Sequence, residues 1–358
     1  DQYRGGPGDH DYNWYMPTSG CPGQTEPCDN DGHGTHTMGT IVGSTDPTDP
    51  INAAEGIGVA PGAEWIACKG CEFNSCSFEA LLACGDWIAA PTDLSGQNPD
   101  PTKRPNVVNN SWGGGGGDFW YGGVVGAWRA AGIFPQFSAG NSGPGCGTTG
   151  SPGDYAMSFG AAALQDDGGG NYSAAGFSSR GPAAISGILQ PNISAPGVAV
   201  RSSIPGGGYA NLGGTSMASP HVAGVVALLW SAQPELNGQI ENTMNLLSET
   251  AQPLFTTDGC GGDDDTSHPN HTYGFGLVDA AAAVTNADGI VLPWLEVIPS
   301  GIVLAPGESV EVALVMTAPL QEGIYTGTLH LSADEPYNPV VSIPLTLISE
   351  ESTKILYL

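Results

Sequence analysis

Positive charge is scarce in this chain: eight Lys and Arg stand against 36 Asp and Glu in 358 residues, a formal net charge of −28. With three lysines and five arginines, no basic stripe can form to neutralise a phosphate backbone, so nucleic acid is not expected as a partner. An anionic membrane surface would repel it for the same reason. Long hydrophobic runs are missing as well. Apolar residues make up 40% of the chain, but no stretch of about 18 residues is free of polar breaks, so no membrane span is expected. An initiating Met and a signal-type apolar segment are also lacking, and the chain is expected to begin after processing or to be part of a longer product.

Glycine, by contrast, is abundant at 55 residues, and it clusters between short apolar runs and small-residue helical patterns, which implies tight turns. Trp65–Ala67, Asn106–Val108, Ile133–Phe137 and Met157–Ala161 have the character of buried strands. Ser77–Ala90, Gly122–Ala131 and Ser219–Ala232 have helical character. This alternation argues for a three-layer α/β domain over residues 1–288, with helices on both faces of a parallel sheet and active sites at the carboxyl ends of its strands. After Asn286–Gly289 the composition changes. Leu295–Ile298, Val310–Met316, Tyr325–Leu331 and Val340–Leu347 alternate apolar and polar residues, so 289–358 is expected to be a small all-β, immunoglobulin-like sandwich.

The eight cysteines are even in number: Cys21 with Cys28, then Cys68, Cys71, Cys76 and Cys84 in one stretch, then Cys146 and Cys260. Disulfides in an oxidising, extracellular setting are expected, with connectivity open. A zinc site at Cys68, Cys71, Cys76 and Cys84 is the rival reading, although the second pair lacks CxxC spacing.

Chemistry concentrates in three segments. In Gly214-Thr215-Ser216-Met217-Ala218-Ser219-Pro220-His221-Val222-Ala223-Gly224, a serine at a helix start has its hydroxyl at the positive end of the macrodipole, beside free N–H groups that can bind an oxyanion. On its own, Ser216 could be a plain N-cap. Asp31-Gly32-His33-Gly34-Thr35-His36-Thr37-Met38-Gly39-Thr40 brings two histidines. A serine hydroxyl needs a neutral imidazole to take its proton before attacking an amide. The third segment is Phe137-Ser138-Ala139-Gly140-Asn141-Ser142-Gly143, in which Asn before Ser-Gly is also an ordinary turn residue.

Together these segments resemble the motifs of the subtilisin-like (subtilase, peptidase S8) serine proteases, with further matches such as Phe177-Ser178-Ser179-Arg180-Gly181-Pro182 and Gly274-Phe275-Gly276-Leu277 spread over 27–286. Asp9–Trp14 and the Cys21–Cys28 loop are most similar to the bacillopeptidase F-like branch. The resemblance implies a secreted serine endopeptidase, with Ser216 as nucleophile, His33 as general base and Asn141 donating into the oxyanion hole. It further implies that Ser111, Trp112 and Gly113 pair with the substrate backbone, while Ala139, Gly140 and the segment from Gly150 and Ser151 complete an uncharged first pocket that favours large apolar side chains. His36 and His221 are expected to anchor structure by hydrogen bonding rather than to react.

The family also needs an Asp at the end of an apolar strand to orient the imidazole. No Asp before His33 follows such a strand. The missing strand is expected upstream of residue 1, rather than recruitment of Asp9, Asp11 or Asp29, because a strand-borne Asp is hard to replace from a polar loop. A molecule truly lacking it would be slower by about 10⁴ and nearly inert. The other function class is therefore a catalytically inert extracellular binding or surface module on the same fold. No cofactor is required for the chemistry. Asp263, Asp264 and Asp265 offer oxygen ligands for a structural calcium, against the plainer reading of a solvated acidic loop. Peptides or proteins are the expected substrates, and oligomeric state is open.

Overall fold

The computed structural model describes residues 9–21, 26–44, 56–73, 75–184, 187–286, 295–298, 309, 311–316, 323–331, 341–349 and 354–357. The chain divides into two compact units, Asp1–Val284 and Thr285–Leu358. The first unit opens with β1 (Trp14–Tyr15), α1 (His33–Val42), β2 (Ala67–Cys68), β3 (Cys71–Glu72), β4 (Ser75–Cys76) and α2 (Phe78–Ala89). It continues through β5 (Val107–Asn110), α3 (Gly122–Ala130), β6 (Phe134–Ser138), β7 (Phe159–Gly168), β8 (Asn171–Ala174) and β9 (Ile193–Pro196). The hairpin β10 (Val200–Ser203) and β11 (Tyr209–Leu212) then leads to α4 (Thr215–Ala232), α5 (Ile240–Thr250) and α6 (Ala280–Asn286).

In the central sheet β5, β6, β7 and β9 are parallel, and β8 folds back antiparallel on the exposed second half of β7. All five residues of β6 are buried, the pattern of a strand covered on both faces. Its neighbours in sequence show why: Phe137 stacks on Trp128 of α3, while Gln136 Nε2 donates to Ser219 Oγ of α4 at 3.3 Å. Adjacent side chains of a strand point to opposite faces, so helices lie on both sides and three layers result. Leu81, Val108, Tyr121, Val125, Trp128, Ile133 and Phe137 pack as one core.

Helix α4 runs against β5, β6, β7 and β9. Met217, Val222, Val225, Val226 and Leu229 are all buried, so it has no wet face to speak of and behaves as a core helix. Gly224 is required there, since a Cβ would lie 2.6 Å from Val59.

The cysteines settle as Cys21–Cys28, Cys68–Cys84, Cys71–Cys76 and Cys146–Cys260. The zinc reading is thereby corrected: all four of its sulfurs are consumed in disulfides, leaving no thiolate to ligate a metal. No described helix is long and apolar enough to cross a membrane.

In the second unit β12 (Leu295–Ile298) pairs with β13 (Ala313–Met316), and β14 (Gly323–Leu331), β15 (Val341–Ser349) and β16 (Lys354–Tyr357) form a three-stranded sheet, all antiparallel. Leu345 and Leu347 are buried with Thr346 between them less so, the period-2 signature of a half-covered strand.

Candidate active site

Strands β5 and β6 end beside the first turn of α4, as expected of an open α/β sheet. There a cleft of about 1740 Å³ is lined by His33, Ser111, Asn141 and Ser216 together. Four segments separated by up to 183 positions (216 − 33) in the chain thus share one surface.

His33 is the first residue of α1. The N-cap position is Gly32, at φ 96°, which supplies no side-chain acceptor. Asp29 replaces it from outside the helix: one carboxylate oxygen accepts the N–H groups of Asp31 (3.0 Å) and Gly32 (2.8 Å), the other the N–H (2.7 Å) and hydroxyl (2.6 Å) of Thr35. The helix start, and with it the backbone that carries His33, is fixed by this carboxylate. Burial holds the His33 ring below its ordinary pKa, partly opposed by the Asp31 and Asp29 charges, so the neutral base form is favoured. Among the described residues no side chain hydrogen-bonds the His33 ring. Asp9 accepts from the Asp11 N–H, Asp11 from the Leu94 N–H, and Asp29 is occupied in capping.

Ser216 is the second residue of α4, not its cap, since Gly214 holds that position. Its hydroxyl donates to the Ser111 carbonyl at 3.2 Å. Asn141 is oriented by Thr215: its Oδ1 accepts both the Thr215 N–H and Oγ1–H at 2.9 Å, which commits Nδ2 to the other side. A Cβ on Gly214 would stand 3.5 Å from the Ser216 nitrogen and 3.6 Å from Asn141 Nδ2. Glycine at 214 therefore keeps open a space that two N–H donors border, the arrangement a developing oxyanion needs. Gly140, at φ 104°, makes the turn into Asn141, and a Cβ there would approach Ser179 Oγ at 2.9 Å.

Of the residues expected to bind substrate, Ser111, Trp112, Gly113, Gly140 and Gly150 line the cleft. Ala139 and Ser151 are buried behind it and act through the backbone: Gly114 N–H donates to Ser151 O (2.9 Å) and Gly150 N–H to Ala139 O (2.9 Å), tying the two walls together. His36 Nε2 lies 3.0 Å from the carbonyls of Val200 and Ala210, and His221 Nδ1 2.7 Å from Met217 O, so both rings make structural bonds. Sequence reasoning did not identify Thr215, whose signal is only its place before Ser216, nor the Asn109–Ser219 bond (2.7 Å) that welds β5 to α4.

Among the described residues no group of three or more His, Cys, Asp and Glu is placed to hold a metal. Asp263 is committed to the N–H and ring of His271, and Asp264 to Thr266 and Ser267.

Residues 7–276 match the model of the subtilase family. Bacillopeptidase F of Bacillus subtilis (strain 168) is 44% identical over 292 residues, covering 78% of this chain but 19% of that protein, so the chain spans about a fifth of this relative. Subtilisin Savinase of Lederbergia lenta is 33% identical over 269 residues, covering 73% of this chain and 81% of the relative. Among solved structures, Sphericase superposes with a TM-score of 0.56 at 29% identity, over 70% of this chain and 78% of that one.

Proposed function

The chain belongs to the subtilase family of serine proteases, and on that premise we propose that it is a secreted endopeptidase acting through an acyl-enzyme on Ser216. His33 takes the hydroxyl proton as Ser216 attacks the scissile carbonyl, then returns it to the leaving amine; water, deprotonated by the same ring, releases the acyl group. The carbonyl oxygen, negative in the tetrahedral intermediate, occupies the space kept open by Gly214 and accepts from Asn141 Nδ2 and the Ser216 N–H. This bordered gap beside the hydroxyl is the observation that carries the reading, and a donor of that kind contributes about 3 kcal/mol to the transition state. No cofactor takes part.

Substrate adds as a strand along Ser111-Trp112-Gly113, with its acyl-side residue in the pocket made by Ala139, Gly140, Gly150 and Ser151. None of these carries charge, which favours large apolar residues. The four disulfides support an extracellular setting, and the second unit is read as an appended immunoglobulin-like sandwich. A fluorophosphonate probe tests the proposal. One label per molecule at Ser216, lost in Ser216→Ala, is expected. No label on a full-length preparation, upstream strand included, would favour an inert binding module.

A further inference from the structure

Helix α4 contains a proline, Pro220. A proline has no N–H, so the carbonyl four residues earlier loses its regular helical donor. That carbonyl belongs to Ser216. The structure supplies a replacement from another element: Ser111 Oγ donates to Ser216 O at 2.8 Å. The direction of this bond is set by what lies behind it. Gln136 Nε2 donates to Ser219 Oγ (3.3 Å), Ser219 Oγ to Asn109 Oδ1 (2.7 Å), and Asn109 Nδ2 to Ser111 Oγ (3.0 Å). Each hydroxyl accepts from one side and spends its single proton on the other, so the chain of donors ends at the carbonyl that Pro220 leaves without its usual partner.

We propose that Ser111 is a positioning residue for the nucleophile, its hydroxyl replacing the helical hydrogen bond that Pro220 cannot give to Ser216. This rests on the function proposed above and adds to it a role for the Ser111 side chain, distinct from the backbone of 111–113 along which a peptide would pair. Without the hydroxyl, the Ser216 carbonyl is left short of a donor at the first turn of α4, and the Oγ–C=O reciprocity between the two serines is lost. The Ser216 hydroxyl is then less well held for attack.

The test is a double-substitution cycle on the full chain, read with an uncharged chromogenic peptide and with fluorophosphonate titration of competent sites. Ser111→Ala should lower kcat by about ten- to a hundredfold, the cost of one part-buried acceptor left short of its donor beside the nucleophile, with KM little changed because the pairing backbone is intact. Pro220→Ala restores an N–H at position 220. In the Ser111→Ala background it should recover most of the lost kcat, while on the unaltered chain it should give no gain, since Ser216 O already has its donor. A purely structural role for Ser111 would not be repaired from position 220. If the unaltered full-length protein, upstream strand included, takes no label, the function itself fails and this role with it. If that protein is labelled but Ser111→Ala keeps its kcat, or loses it and Pro220→Ala restores nothing, the positioning role alone is overturned.

Discussion

In the proposed mechanism the His33 imidazole acts only when neutral, so its environment would set the acid limit of activity. Burial pushes its pKa down, while the Asp31 and Asp29 carboxylates pull it up by a smaller amount. The net shift is downward from 6.5. A base with a lowered pKa stays unprotonated further into acid, and the acid limb of kcat/KM for the chain is accordingly expected below pH 6.5. Asp31→Asn removes an opposing charge and should move that limb to still lower pH, with the plateau at higher pH little altered. A pH–rate profile of the two proteins checks the sign, and a limb that moves toward neutrality on this substitution would contradict it. At this scale the motif residues were open to sequence reasoning because each sits in a local string with its own chemistry: His33 after Asp-Gly, Asn141 after Ala-Gly, Ser216 after Gly-Thr. What no string shows is the hydrogen bonds between strings. Ser111 meets Ser216 across 105 positions, and Thr215 meets Asn141 across 74.

At the scale of elements, the start of α1 rests on one side chain from outside the helix. Asp29 lies outside the helix yet satisfies the N–H groups of Gly32 and Thr35, as a cap does. Its burial alone would raise the carboxyl pKa. The hydrogen bonds from the Thr35 hydroxyl and from the Gly32, Thr35 and Asp31 N–H groups outweigh this and lower it below 3.8. A carboxylate depressed in the folded state contributes stability above its unfolded pKa and loses it as pH falls through the folded value. Asp29→Ala is therefore expected to cost about 1–2 kcal/mol at neutral pH, and the gap in melting temperature should begin to narrow as acid passes the unfolded value near 3.8 and should close by the lower folded pKa. Thermal melts of both proteins from pH 7 downward would show this, and a pH-independent gap would speak against it. Helix α4 was expected from Ser219 but starts at Thr215, because Gly214 gives no side-chain cap signal and the apolar pattern begins later. Strand β7 was expected to end near Ala161 but continues through Gln165-Asp166-Asp167, polar residues with no buried face to betray them. The β10–β11 hairpin escaped notice for a related reason. Its strands are short and partly exposed, and its two backbones are gathered by His36 Nε2, a contact 164 and 174 residues away.

For the molecule as a whole, the disulfides divide by the length of chain they close. Cys71–Cys76 closes five residues and Cys68–Cys84 sixteen, whereas Cys146–Cys260 closes 114 and ties the segment after Asn141 to the stretch that leads into α6. Spacing alone could not assign this last bond, because nothing local to either cysteine points to the other. In the chain-entropy account a longer closed loop removes more freedom from the unfolded state, so Cys146→Ala with Cys260→Ala should lower the unfolding free energy by about 4–5 kcal/mol, against about 3 for Cys68→Ala with Cys84→Ala. Locally, however, the two segments are also joined by Arg180, whose guanidinium donates to Pro144 O at 3.2 Å and pairs with Asp258 at 2.8 Å. The segment of Pro144 is therefore still held when the sulfur bridge is gone. The expected outcome is a separation of two quantities: kcat near that of the parent at room temperature, with a lower urea midpoint and faster loss of activity on heating. A fall in kcat equal to that in stability would mean that the disulfide, and not Arg180, fixes the wall beside Asn141. Adding Arg180→Ala to the doubly substituted protein decides between the two, since only in that protein should kcat fall while the remaining three disulfides stay closed.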